Sequence, residues 1–385
     1  MRNAIWLYLF LFVAFFDLHA QYPILTPFAI SIGAAPSFIG LMMGMYSITH
    51  LPGNIIAGIS VDRIGSKIFI IGSLLGAGII LLIQSSVTNP WQLLVLRSIS
   101  GFVLAFLSPA CMALLARMSN DLKEQGKLMA GNGLVHTIAA VASPAAGAYM
   151  VAKIGFTTAF SMLGWILVVT SVLAIFFIKD IKQPVAAAAA SPKTAAAPPA
   201  LTASTDVPWL IYLLPVALSC AQGILSFEIP LLAKTTEAMM TTGLLFSVIS
   251  IGALVTLSMM FLNNLSAFNR TLWGSFALAI VYFAIASDFP LPLMVLLFII
   301  GMAKGVTLPA LSTLLIDLSG GARYGRTFSI LSIATSIGAF IGPVAAGQLR
   351  NFVSPYFIAF ILLMMAITIL PIIHWRHSAA KTQLT

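Results

Sequence analysis

The chain has 385 residues, of which 60% are hydrophobic and 8% are charged, whereas an ordinary soluble domain carries roughly 25% charged residues. This composition excludes a water-soluble fold and indicates an integral membrane protein. The formal net charge of +9 does not indicate nucleic acid binding, because no soluble basic domain is present, and basic loops on one side of a membrane account for it.

Apolar runs predict twelve membrane-spanning helices, since each run approaches the ~20 residues that a helix needs to cross the hydrocarbon core. The first run is too long for the core of a signal peptide and contains Asp17, so it is interpreted as a retained helix. The predicted spans lie near residues 4–26, 37–59, 68–87, 91–115, 128–150, 157–178, 208–232, 242–262, 271–287, 291–315, 327–348 and 354–373.

The distribution of basic residues predicts the orientation. Basic residues close to a span resist translocation, so the side that collects them is cytoplasmic. With both termini in the cytoplasm, the outer loops hold only Lys153, Lys234 and Arg350. The short loops favour a bacterial protein, and we expect a multi-pass protein of the cytoplasmic (inner) membrane.

Residues 180–207 separate two sets of six spans. This segment contains AAAAASPKTAAAPPA, whose prolines repeatedly interrupt any helix. We interpret it as a flexible cytoplasmic linker between an N-terminal six-helix bundle, residues 1–179, and a C-terminal bundle with a short cytoplasmic tail, residues 208–385.

The two halves repeat each other. Glycines and prolines recur in the same order at offsets of 199 to 203 residues: Pro27 with Pro230, Gly40 with Gly243, Gly101 with Gly301, Pro109 with Pro309 and Pro144 with Pro343. Two parallel six-helix repeats are typical of alternating-access transporters, whose substrate site lies near the membrane midplane between the halves.

The first predicted span carries an acid near the midplane. Asp17 is followed by Gln21 one turn later on the same helix face. Because an isolated charge is costly inside the membrane, Asp17 is a candidate proton carrier. The alternative is a structural ion pair with Arg97, and the two roles can coexist.

The turn after the second span reads Gly58-Ile-Ser-Val-Asp62-Arg63-Ile-Gly65-Ser66-Lys67. It resembles the loop 2–3 signature of the major facilitator superfamily, G-x-x-x-D-R-x-G-R-K, and departs from it only at Ser66. The resemblance implies a conformational latch built from Gly58, Asp62, Arg63, Gly65 and Lys67. The alternative is a basic loop that only fixes the topology.

The fourth span contains Arg97-Ser-Ile-Ser-Gly101, which resembles the R-x-x-x-G element of the same superfamily. An arginine at this depth must face a cavity or a partner, unless it extends outward to the membrane surface. Gly101 is placed with the helix-packing residues.

The eleventh span carries Gly338, Gly342 and Pro343 in a pattern that resembles the superfamily's antiporter motif. That motif is diagnostic in the fifth helix, where this chain has Pro144 but Ala139 and Ser143 instead of the first glycines. Close packing of two helices is the equally weighted alternative.

Three further residues are candidates. Lys304 lies near the middle of the tenth span and can bind an anion or take part in coupling, unless it belongs to a structural pair. Glu228 lies toward the outer end of the seventh span, where it is either a coupling group or a residue of the cavity mouth. His136 is a candidate substrate ligand, although a membrane histidine is more often a packing residue, as is expected for His19 and His50.

The resemblance to the major facilitator superfamily covers nearly the whole chain. It implies an all-α integral membrane protein with twelve transmembrane helices in two pseudo-symmetric halves. The Pro23 and Pro27 pattern of the first span resembles the twelve-span drug/proton antiporter group.

We therefore predict a secondary active transporter that works by alternating access and exports amphipathic organic compounds in exchange for protons. The alternative is proton-coupled uptake or exchange of a small organic anion. The proton-coupling candidates are Asp17, Arg97 and Glu228, and the substrate-binding candidates are Gln21, Arg97, His136 and Lys304.

The sequence holds no P-loop, zinc-protease motif, dinucleotide fingerprint or nucleophile elbow. ATP-driven transport by this chain is excluded on that ground, and we expect no enzymatic activity, no cofactor and no metal. The expected partners are a small-molecule substrate, protons and the lipid bilayer, with no nucleic acid, and the protein is expected to function as a monomer.

Overall fold

A computed structural model describes residues 2–118, 122–178, 209–233, 235–318 and 324–382. The predicted linker, residues 180–207, and the predicted outer-loop residue Lys234 lie outside this described part. The helices are α1 (Arg2–Ser31), α2 (Pro36–Ile64), α3 (Ser66–Gln84), α4 (Pro90–Leu104), α5 (Leu107–Ala116), α6 (Leu122–Phe177), α7 (Leu213–Leu231), α8 (Thr236–Ser258), α9 (Ala267–Ala286), α10 (Leu293–Leu318), α11 (Tyr324–Leu349) and α12 (Pro355–Thr382).

These helices confirm the predicted all-helical membrane fold. Ten stretches of the described chain are long and apolar enough to span a membrane. One of them, Pro90–Ala116, joins α4 and α5 into the fourth span, and another, Lys127–Phe177, contains both the fifth and the sixth. α2 is the remaining span, and it is less apolar because it includes polar residues such as His50 and Asn54.

The fifth and sixth spans meet at a single residue within α6. Gly155 has φ 77° and ψ 170°, a backbone conformation that side chains with a Cβ rarely adopt. The helix turns back at this glycine, so two membrane crossings follow each other almost without a loop.

Packing within each half follows the same plan. In the N-terminal half α1 and α3 pack on α6, and α2 packs on α4. In the C-terminal half α7 packs on α11, α8 on α10, and α9 on α10 and α12. The main contacts between the halves are α2 with α11, and the fifth-span part of α6 with α8.

The repeated glycines and prolines lie at these two contacts between the halves. Gly40 of α2 lies against the carbonyl group of Pro343 in α11. Gly243 of α8 lies against Pro144 of α6, where a methyl group on the glycine would sit 2.7 Å from the proline carbonyl oxygen. The two pairs are equivalent in the sequence repeat, so the halves meet through two copies of one contact.

We call the end of the bundle that holds the start of α1, the end of α12 and Gly65 the terminal end, and the end that holds the turns after α1 and α11 the distal end. Gly40 and Gly243 lie in the first turns of α2 and α8, which begin at the distal end. Both contacts between the halves therefore close the distal end.

Candidate functional site

A cavity of about 350 Å³ lies between the two halves, and we call it the central cavity. It is lined from the N-terminal half by α1, α2 and α4 and from the C-terminal half by α7 and α11. Its polar lining residues are Gln21, Tyr22, Tyr46, Ser47, His50, Arg97, Ser219, Gln222, Ser226, Thr335 and Ser336. Apolar groups supply most of the remaining wall, so the cavity suits an amphipathic molecule.

A hydrogen-bonded relay joins three of the predicted site residues on the N-terminal side of this cavity. The Gln21 amide nitrogen donates to both carboxylate oxygens of Asp17, each at 3.0 Å. The Gln21 amide oxygen accepts from the Arg97 guanidinium at 2.8 Å. Within the described residues Asp17 and Arg97 form no direct ion pair, so Gln21 connects them.

Arg97 faces the cavity and does not extend to the membrane surface. Its side chain is 7% exposed, and its guanidinium carbon lies 4.6 Å from the centre of the Tyr46 ring, a cation–π contact. Gly101, one turn further along α4, lies against the Tyr46 carbonyl group. The absence of a side chain at Gly101 lets α4 approach α2 closely enough for the Arg97–Tyr46 contact.

The C-terminal half places a second base beside a second glutamine. The Lys304 ammonium donates to the Gln222 amide oxygen, and the Gln222 amide nitrogen is 3.2 Å from the Ser226 hydroxyl. No carboxylate in the described chain pairs with Lys304. Each half thus holds one base against the oxygen of one glutamine amide.

His136 lies beside α1. Its ring packs edge-on to His19, with 5.1 Å between ring centres, and to Phe15 at 4.8 Å. The His19 ring is anchored by a 2.7 Å bond between its Nδ1 atom and the Phe15 carbonyl oxygen. His136 is exposed although it packs on α1. His136 does not line the central cavity, so its predicted role as a substrate ligand stays a prediction.

Glu228 is not brought together with the central residues. It is buried in α7, and one of its carboxylate oxygens lies 3.6 Å from the Arg350 guanidinium at the distal end. The residue does not line the central cavity. Its predicted role in proton coupling stays a prediction.

The predicted latch connects α2 to α3 and reaches the sixth span. Gly65 ends α2 and begins α3 with φ 110°, a conformation that favours glycine. The Lys67 ammonium donates to the Ile175 carbonyl oxygen at 2.7 Å, near the end of α6. Arg63 is exposed and Gly58 faces open space, whereas the side chain of Asp62 is outside what the structure describes.

The glycine motif of the eleventh span packs α11 between two helices. Gly338 and Gly342 lie against the backbone of Val216 and Cys220 in α7. The Pro343 carbonyl lies against Gly40 of α2, whereas the Pro343 ring lies against Gly223 of α7. This geometry supports the helix-packing interpretation of the motif. Pro144 occupies the equivalent position against α8.

Several cavity residues were missed or ranked low in the sequence. His50 lines the cavity and is 2.9 Å from the Asn54 amide, although a packing role was expected. Tyr46 and Gln222 were not singled out. A usable signal was present, since Tyr46, His50 and Asn54 recur every four residues and so form a polar stripe on one face of α2.

Comparisons with known proteins agree with this architecture. The family model described as Major Facilitator Superfamily matches residues 7–287 and 270–384. The chain is 28% identical over 361 residues to the multidrug resistance protein MdtG of Escherichia coli, covering 89% of this chain and 86% of that protein. It is 25% identical over 325 residues to the multi-drug resistance efflux pump PmrA of Streptococcus pneumoniae, covering 82% and 79%.

A solved structure shares the fold. The crystal structure of a bacterial homolog to the human lysosomal transporter Spinster, in an inward-facing and unoccupied conformation, matches with a TM-score of 0.71. The match covers 99% of this chain and 97% of that one at 15% identity. With the family model matching nearly its whole length and its helices arranged in the same fold, this chain belongs to the major facilitator superfamily.

Proposed function

We propose that this chain is a secondary active transporter that exports amphipathic organic compounds in exchange for protons. The observation that carries the proposal is the Asp17–Gln21–Arg97 relay, which places an ionisable group beside a cavity shared by both halves. The names of its relatives, a multidrug resistance protein and a multidrug efflux pump, support export over uptake.

In this proposal Asp17 carries the proton. An ionised Asp17 accepts both hydrogen bonds of the Gln21 amide, and Arg97 compensates its charge through the same glutamine. Protonation removes the negative charge, so Arg97 loses its compensation and the relay rearranges. Such a change in charge next to the substrate is what links proton binding to substrate binding.

The two contacts between the halves supply the conformational step. The Gly40–Pro343 and Gly243–Pro144 contacts hold the halves together at the distal end, and the solved structure that shares this fold is in an inward-facing conformation. With both termini in the cytoplasm this arrangement is the inward-facing state, and separation of the two contacts produces the outward-facing state. We place the protein in the cytoplasmic (inner) membrane. We propose that it functions as a monomer, because residues of one chain line the whole central cavity.

The second candidate function is proton-coupled uptake or exchange of a small organic anion. One observation favours it: Arg97 lines the central cavity and Lys304 lines a smaller cavity next to it, whereas Asp17 is the one acid of the relay. An anion would be attracted to this excess of positive charge.

Transport by the purified protein in liposomes with an imposed proton gradient tests both functions. We expect accumulation of amphipathic compounds driven by the gradient, with protons moving in the opposite direction to substrate. Accumulation of an organic anion together with protons would favour the second candidate. Substrate fluxes that do not depend on the proton gradient would contradict both candidate functions.

A further inference from the structure

A second, smaller cavity lies inside the C-terminal half, and we call it the side pocket. Its volume is about 130 Å³. It lies between α7, α9 and α10. Its lining residues are Leu218, Ser219, Ala221, Gln222, Leu278, Tyr282, Lys304, Thr307 and Leu308.

The side pocket adjoins the central cavity. Ser219 and Gln222 line both cavities, so the two cavities meet at these two side chains. Gln222 is held in place by its bonds to Lys304 and Ser226. The residues shared by the two cavities are therefore polar, whereas the wall of the side pocket beyond them is largely apolar and includes Leu218, Leu278 and Leu308.

Lys304 is the charged group in the side pocket, and it has unused capacity to bind a ligand. An ammonium group has three hydrogen-bond donors, and the described contacts of Lys304 use one of them, to Gln222. The Tyr282 hydroxyl donates to the Ala221 carbonyl oxygen at 2.9 Å, and the Thr307 hydroxyl donates to the Ala303 carbonyl oxygen at 2.7 Å. These hydroxyl hydrogens are committed to the helix backbone.

The charges around the cavities leave Lys304 uncompensated. Arg97 and Asp17 balance each other through Gln21, and Glu228 is next to Arg350 at the distal end. A positive charge within the membrane is costly without a partner. One negative charge placed beside Lys304 would neutralise the remaining positive charge at the two cavities.

The dimensions indicate how much of a ligand the side pocket can hold. Its 130 Å³ correspond to about four water molecules at ~30 Å³ each. This volume fits a carboxylate with the few atoms next to it, and it is too small for a whole amphipathic molecule. The central cavity has room for the remainder.

We propose that the side pocket binds the carboxylate of an amphipathic organic acid, with Lys304 and Gln222 as its ligands and the apolar body of the acid in the central cavity. This inference rests on the proposed function, because it names the class of compound that the same cavity carries. It assigns the charge recognition to Lys304 and leaves Arg97 to the relay with Asp17.

A matched pair of ligands tests the inference. We would measure the affinity of the purified full-length protein in lipid nanodiscs for 1-naphthylacetate and for its neutral analogue 1-naphthylacetamide. The wild-type protein should bind the carboxylate at least tenfold more tightly. The Lys304→Gln variant should lose this preference and keep its affinity for the amide, whereas Lys304→Arg should keep the preference.

Two controls make the result specific. Lys153→Gln removes an exposed lysine outside both cavities and should leave the preference unchanged. Ser219→Leu keeps every charge but narrows the junction, so it should weaken binding of the carboxylate. Equal affinity of the wild-type protein for the two probes, no binding of either, or a preference that survives in Lys304→Gln would overturn the inference, as would a preference lost only in Arg97→Gln.

The outcome is distinguishable from failure of the proposed function, since the binding assay requires neither a proton gradient nor transport. A preference for the carboxylate that depends on Lys304, without gradient-driven flux, would support the carboxylate site in the side pocket and refute proton-coupled export. Gradient-driven export without the preference would do the reverse.

Discussion

The side-chain amide of Gln21 holds both carboxylate oxygens of Asp17, each at 3.0 Å, one helical turn away on α1. The amide is fully used, because its oxygen accepts from Arg97 at the same time. An acid buried in a membrane helix is thereby connected to a base on another helix without touching it. A change in the charge of Asp17 therefore alters the hydrogen bonds of Gln21.

The Asp17→Asn substitution should uncouple transport from the proton gradient. The asparagine keeps the size and can still hydrogen-bond Gln21, so folding and membrane insertion should be retained, but it cannot release a proton. We expect downhill flux to persist while accumulation against a gradient falls at least tenfold in liposomes. The matched control is Glu237→Gln, which neutralises an exposed acid at the start of α8. Normal accumulation by Asp17→Asn would show that Asp17 is not the carrier.

The Gln21→Met substitution should destabilise the protein as well as impair coupling. It removes the hydrogen bonds to two charged groups, and bonds of this kind contribute about 1.5–3 kcal/mol each. We expect thermal unfolding in detergent to shift down by several degrees. Gln84→Met is the control, because the buried Gln84 amide has no hydrogen-bond partner in the described structure. This change should be neutral or stabilising, and an equal loss in both variants would contradict the relay.

Substitution at the contacts between the halves should favour the outward-facing state. A methyl group at Gly40 would collide with the Pro343 carbonyl, and one at Gly243 with the Pro144 carbonyl. We expect Gly40→Ala and Gly243→Ala, each combined with Ser47→Cys on the cavity wall, to increase labelling at that position by an impermeant thiol reagent added from outside. Gly72→Ala, where the added methyl meets open space, should not change the labelling. Unchanged labelling in all three variants would contradict closure by these contacts.

The Gly65→Ala substitution should slow turnover with little effect on substrate affinity. The Gly65 conformation, φ 110° and ψ 160°, costs an alanine about 1–3 kcal/mol, and the strain falls on the turn between α2 and Lys67. Equilibrium binding and transport rate should be measured on the same preparation. Gly33→Ala also places an alanine at a positive φ, in the turn after α1 at the distal end. A comparison of the two variants therefore distinguishes the effect of backbone strain in general from the effect of strain in the predicted latch. Equal losses of binding and rate would assign the turn to the substrate site.

The membrane-spanning helices could be predicted from the sequence because the hydrocarbon core imposes both a length and a composition. The repeat of Gly40, Gly243, Pro144 and Pro343 identified the two halves in the sequence, and the structure shows in addition that these residues lie where the halves meet. The sequence did not reveal that α6 reverses at Gly155 without a longer loop. That turn depends on one backbone conformation and not on hydropathy.

The site was only partly predictable. The spacing of Asp17 and Gln21 places them on one helix face, so their contact follows from helix geometry. The bond from Arg97 to Gln21 depends on how α4 packs against α1 and α2, which no local pattern encodes. Gln222 was missed for the same reason, since its role comes from Lys304 on a helix more than eighty residues away.

The paired contacts at the distal end also limit how the protein can open. The two contacts lie on two helix pairs related by the repeat, one between Gly40 and Pro343 and the other between Gly243 and Pro144. If only one of them parts, the halves rotate about the other, and the result is a tilt that widens one flank. In the proposed export cycle, a full opening at the distal end requires both contacts to separate, so we expect the transition to be cooperative within one chain.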